Sequence, residues 1–178
     1  RNVRDYKMTS LRKIIGVVPQ KSVLTSGTIL DNLRWADSSL SENDAVNALK
    51  TAQAWEFVNK MPDGINSVVA QGGKNFSGGQ KQRLAIARAI ASKPDILILD
   101  DSMSALDYAT DLSLRKAIAQ DLKGTTLIVI SQRITSIKNS DKIIVLDDGK
   151  AVGTGTHSEL KSECRVYQEI CEAQDTED

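Results

Sequence analysis

Residues 96–101 read Ile-Leu-Ile-Leu-Asp-Asp. Four consecutive apolar residues leave a strand no polar face. Such a strand suits a parallel sheet covered on both sides, not a one-sided antiparallel one. Two carboxylates follow directly, which places them at the carboxyl end of the strand. That is the edge at which open α/β sheets bind their ligands. The chain is therefore expected to fold as an α/β domain, with chemistry at one edge of its sheet.

The rest of the pattern fits around that strand. Leu11 to Val18 closes with Ile-Ile-Gly-Val-Val, a short buried strand stopped by Pro19. Ser26 to Pro62 reads as helical, with Ser41 and Asp44 as an N-cap pair and an apolar stripe of Ala45, Leu49, Ala52 and Phe57. Asp63 to Asn75 reads as a glycine-bearing loop, and a helix follows from about Gln80 to Ala91. After Pro94 strands and helices alternate: helix over Asp107–Leu122, buried strand over Thr125–Ile130, short helix over Ile134–Asn139, strand over Lys142–Leu146. Asp147-Asp148-Gly149 signals a hairpin turn, with Ala151-Val152 returning. One helix is expected over Ser158–Ala173, then a frayed acidic tail over Asp175–Asp178. The expected organisation is a sheet core from about 1–20 and 93–178, with a helical subdomain over about 21–92 inserted after the first strand.

Composition excludes several classes. Lys+Arg and Asp+Glu are equal at 23 each, so no bulk field favours nucleic acid or anionic lipid. No apolar run reaches the roughly 18 residues of a membrane span, and the opening Arg-Asn-Val-Arg-Asp carries no signal-peptide pattern. Cys164 and Cys171 would be about 10 Å apart on one helix, too far for a disulfide, and are expected to be free thiols.

Four places carry candidate chemistry. Ser77-Gly78-Gly79-Gln80 opens a helix with the Ser-x-x-Gln capping box. Two first-turn glycines cost roughly 1 kcal/mol each in helix propensity, which suggests that a ligand approaches the exposed N–H groups at the positive helix end. A flexible capping turn is the alternative. Asp100 and Asp101 could hold Mg²⁺ and orient an attacking water, or could be a solvated strand end. Gln20 follows one strand and Gln132 another. Three strand ends thus present Gln, Asp-Asp and Gln together.

In this order and spacing the set resembles the ATP-binding cassette (ABC) family over nearly the whole chain. Val17-Val18-Pro19-Gln20 is similar to its Q-loop, Phe76-Ser77-Gly78-Gly79-Gln80 to its signature with Phe where Leu is usual, and Ile96–Asp100 to Walker B. Ser104-Ala105-Leu106-Asp107 is similar to the D-loop, and Gly155-Thr156-His157-Ser158-Glu159-Leu160 to a common trailing motif. Gly27-Thr28-Ile29 to Asn32-Leu33 resembles the exporter branch. The resemblance implies a partial P-loop NTPase sheet with an inserted helical signature subdomain. It implies ATP and Mg²⁺ as cofactors. Asp101 and Gln132 would be the catalytic positions, and Gln20 and Asp100 the metal-binding ones. ATP would contact Gln20, Ser77, Gly78, Gly79, Gln80, Asp100 and Asp107. The implied partners are a second ATPase domain and a transmembrane domain fused upstream, at the cytoplasmic face of the membrane, with no nucleic acid.

Departures refine this. No Gly-x4-Gly-Lys-Ser/Thr occurs, so the chain is expected to be cut before its phosphate loop and inactive alone. Asp101 stands where the family has a catalytic Glu, and Gln132 where it has a switch His. Gln71-Gly72-Gly73 replaces the usual Gly-Glu-Arg-Gly. These point to the degenerate partner of a heterodimeric exporter. An ABC-type ATPase of DNA repair or translation and an inert fragment are the alternatives. His157, the single histidine, is expected to be structural, and Arg83 and Arg88 to line a solvated or subdomain-facing edge.

Overall fold

A computed structural model describes residues 2–103 and 105–175. Ser104 and residues 176–178 of the acidic tail lie outside them. The chain forms two compact units, residues 1–128 and 129–178.

In the first unit, helix α1 (Met8–Ile14) runs directly into strand β1 (Ile15–Val18). Leu11, expected to begin a strand, therefore belongs to a helix. β1 pairs in parallel with β4 (Ile96–Asp100), with Ile15 opposite Ile96 and Val18 opposite Leu99. Strand β5 (Thr126–Ile130) lies on the other side of β4, and the Thr126 N–H donates to Asp95 O at 2.8 Å. The expected α/β sheet is present. β5 is not the buried strand its composition suggests: Leu127, Ile128 and Ile130 are 40%, 44% and 51% exposed. It ends the three-stranded sheet.

The stretch 26–62 is not one helical run. Gly27–Thr28 forms strand β2, which pairs antiparallel with β3 (Val68–Val69) inside the segment expected to be loop. Thr28 then caps α2 (Ile29–Arg34): its side chain accepts from the Asp31 N–H, and Asp31 accepts from the Thr28 N–H. Ser41 caps α3 (Glu42–Thr51) as expected, accepting from the Asp44 N–H. α3 stops where Gln53 takes a left-handed φ of 57°, and α4 (Trp55–Asn59) follows. Two-residue strands have no periodicity to read, which is why β2 and β3 escape a pattern search.

Helix α5 (Gly78–Ala91) is the axle of this unit. It packs on α2, α3 and β1, and buries Leu84, Ala85, Ile86, Ala87, Ala89 and Ile90. Contact with β1 is close because Gly16 has no side chain. A Cβ there would lie 2.8 Å from Ala89 O and 3.0 Å from the Pro94 ring. Helix α6 (Tyr108–Asp121) is tied to α3 by the Thr51 hydroxyl, which donates to Asp121 at 2.6 Å.

The second unit holds α7 (Ile134–Ile137), the antiparallel hairpin β6 (Ile143–Asp147) and β7 (Lys150–Gly155), then α8 (His157–Glu163) and α9 (Arg165–Asp175). The hairpin turn is where the sequence places it. The single terminal helix is not: the chain is extended at Cys164, with φ −111° and ψ 104°. A Cβ on Gly153 would lie 2.8 Å from the Cys164 sulfur, so the break seats this thiol against β7. Cys164 and Cys171 are buried, outside any disulfide, in one core with Ile143, Val145, Leu160 and Tyr167.

Because backbone and a proline ring meet Gly16, a methyl group there cannot be absorbed by a rotamer change. Gly16→Ala is expected to destabilise the chain by about 1–3 kcal/mol, the usual range for overpacking. Urea unfolding followed by circular dichroism measures this, with Gly124→Ala as a contrast whose Cβ meets no atom and whose cost arises from its φ of 93°.

Candidate functional site

The β1–β4 pairing builds the core of the site. Ile15 faces Ile96, and the same offset of 81 residues carried past the strand ends leads from Gln20 to Asp101. There the Gln20 side-chain amide donates to the Asp101 carboxylate at 3.2 Å. Asp101 holds a left-handed φ of 43°, which an aspartate tolerates better than a branched or bulky residue. The turn follows directly from Asp100, the last residue of β4. Gln20, Asp100 and Asp101 thus gather at one sheet edge, as the sequence predicts.

Ser77 and Gln80 cap α5 reciprocally. The Ser77 hydroxyl accepts from the Gln80 N–H at 3.2 Å, and Gln80 Oε1 accepts from the Ser77 N–H at 2.9 Å. Helix geometry leaves the N–H groups of Gly78 and Gly79 without acceptors inside the helix. The two glycines differ. A Cβ on Gly78 would meet no atom within 4 Å, whereas one on Gly79 would lie 3.2 Å from Ala105 O. Packing inside the chain therefore accounts for Gly79, while Gly78 is open towards solvent. Behind the turn, buried Phe76 meets Phe57 edge-on at 6.3 Å. Arg83 lies 5.0 Å over the Phe57 ring and donates to Gln53 O at 2.9 Å, so it faces the helical layer. Burial lowers the Arg88 guanidinium from its ordinary value.

Asp107 caps α6, accepting from Thr110 N–H at 2.9 Å and Thr110 Oγ1 at 2.7 Å. These bonds hold its carboxyl below the usual aspartate range. Ala105 and Leu106 place this turn beside Gly79. Gln132 belongs to the second unit, where it is exposed and its carbonyl accepts from the Gln174 amide at 2.6 Å. His157 opens α8, and its Nδ1 bonds the hydroxyl of buried Tyr167 at 2.9 Å, a structural role.

The donor set at the sheet edge suits a hard cation. Gln20, Asp100 and Asp101 offer oxygens only, as Mg²⁺ prefers. Among the described residues no three His, Cys, Asp or Glu side chains group to hold a metal by themselves. No helix among those residues is long and apolar enough to cross a membrane.

The sheet edge, the capped glycine turn and their spacing along the chain point to one family. The family described as ABC transporter matches residues 1–104. An ABC transporter ATP-binding protein of Mycobacterium bovis is 46% identical over 176 residues, covering 97% of this chain and 30% of its own length. A Rickettsia typhi protein named as an export ATP-binding/permease protein is 42% identical over 166 residues, covering 93% of the chain and 29% of its own length. A bacterial Atm1-family ABC exporter solved with ATP bound superposes with a TM-score of 0.93 at 34% identity, over 98% of this chain and 30% of that one. The chain belongs to the ABC transporter family. It spans under a third of the length of these relatives.

The Asp107 cap is open to titration. A carboxyl lowered in the folded state adds stability above its unfolded value of about 3.9, and that stability is lost as pH falls through the lower folded value. Asparagine caps a helix without titrating. The gap in thermal midpoint between wild type and Asp107→Asn should therefore narrow between pH 6 and pH 3, read by circular dichroism. A gap independent of pH would locate the cap's contribution elsewhere than in the charge.

Proposed function

We propose that this chain is the signature-bearing part of the ATPase domain of an ABC exporter, in which ATP binding and hydrolysis between two such domains drive transport. The observation that carries this is the Gln20–Asp101 contact at the end of β4, with Asp100 beside it. The export names and the ATP-bound structural relative support the exporter branch over an ATPase of DNA repair or translation.

In this reading Gln20 and Asp100 would hold Mg²⁺, which would offset the negative charge of the phosphates. Asp101 orients the attacking water. Aspartate is one methylene shorter than glutamate, and a misplacement of about 1 Å can cost on the order of 100-fold in rate. Gln132 can donate a hydrogen bond to a phosphate oxygen but cannot take up a proton as histidine can. The chain's own site would therefore turn over slowly. The free N–H groups at Gly78 and Gly79 would serve a nucleotide held by the partner domain, with Ser77 and Gln80 fixing the turn and Asp107 the neighbouring one. That division implies a non-identical partner whose site is the productive one. The phosphate loop this scheme requires is not among the 178 residues. A membrane domain in the same polypeptide would place the chain at the cytoplasmic face.

Two measurements test this. Calorimetry of the 178-residue chain with Mg-ATP is expected to show no saturable heat, because the loop that supplies most phosphate contacts is not in it; a micromolar dissociation constant would overturn that. In the assembled exporter, phosphate release should fall far more with Gly78→Asp than with Asp101→Asn. Gly78 is the cleaner probe than Gly79, where a side chain would also meet Ala105 O. Greater damage from Asp101→Asn would make Asp101 a working catalytic base and this site a competent one.

A further inference from the structure

Asn32 stands on α2, twelve residues after Gln20. Its side chain is 1% exposed and its bonding capacity is fully used. Its Oδ1 accepts from the Thr25 N–H at 2.9 Å and from Thr25 Oγ1 at 3.1 Å. Its Nδ2 donates to Thr25 O at 2.8 Å and to Thr28 O at 2.9 Å. Three of these four bonds end on Thr25, the far end of the loop that begins at Pro19 and carries Gln20. The near end of that loop is fixed by the β1–β4 register at Val18. Between them Leu24 is 1% exposed, lodged against Gly73, where a Cβ would lie 3.1 Å from it. The loop therefore has both ends anchored. Five residues from Gln20 to Thr25 reach about 17 Å at most when extended.

We infer that Asn32 is a positioning residue for the site. By clamping Thr25 it sets the path of the 19–25 loop and so delivers the Gln20 amide to the Asp101 carboxylate. The clamp is built from α2, which packs on α5, so the helix carrying Ser77–Gln80 and the residue contacting Asp101 share one support. A buried amide with all its bonds made is stiff, since losing any one leaves a desolvated polar group. The inference rests on the proposed function only in naming Gln20 and Asp101 as reacting groups. The geometric link stands without nucleotide.

The test uses the ¹⁵N-labelled 178-residue chain, with the Gln20 side-chain amide resonance as reporter and Asp101→Ala as the reference for a broken contact. Asn32→Ala is expected to move the resonance to the Asp101→Ala position. Thr25→Val, which removes only the hydroxyl bond and keeps the shape, should move it part of the way. Leu49→Ala, a core truncation on α3 that spares the clamp, should leave it in place. If Asn32→Ala does not fold, Thr25→Val decides. A folded clamp variant with the resonance at its wild-type position overturns the inference, and so does an equal movement in Leu49→Ala. Failure of the exporter reading would appear instead in the phosphate-release comparison, which this spectrum does not touch.

Discussion

The parallel pairing of Ile15–Val18 with Ile96–Leu99 is the constraint on which the rest depends. Parallel strands leave a sheet at the same edge, so whatever follows each strand starts from that one edge. The fixed offset delivers Gln20 to Asp101 across 81 residues of intervening chain. A slip by one residue would turn Val18 and Leu99 out of the core and separate the two polar groups at once. Register and site geometry are one property here.

The intervening chain is a helical layer held on the sheet by α5. The absence of a side chain at Gly16 sets how near that helix comes, and the capping box at Ser77 and Gln80 sets where it starts. Its first-turn glycines divide the work. Gly79 admits the backbone of Ala105, while Gly78 stays open. Conformational freedom alone would not separate them, since neither has a positive φ. The neighbours make the distinction.

Much of this is written locally. Each cap read from sequence, at Ser41, Ser77 and the Asp147–Gly149 turn, is present, because caps and turns depend on residues within four positions of one another. Helical content between 26 and 62 was legible, but its division was not. Thr28 reads as mid-helix until β2 pairs with β3, a contact some forty residues away in the chain. Likewise Thr125–Ile130 has the composition of a buried strand, yet the fold leaves Leu127, Ile128 and Ile130 exposed.

By itself, then, the sequence determined the α/β class, the strand ends that carry Gln20, Asp100, Asp101 and Gln132, the capped glycine turn and the family. All of these are encoded in short runs whose physics is local. Only the tertiary structure decided that Gln20 bonds Asp101, that Gly79 but not Gly78 is packed, that Cys164 interrupts the last helix and that Asn32 closes the loop behind Gln20. The Gln20–Asp101 and Gly79–Ala105 contacts join residues 81 and 26 positions apart, beyond the reach of any local pattern. The chain must first fold before burial and register can choose among their possible partners.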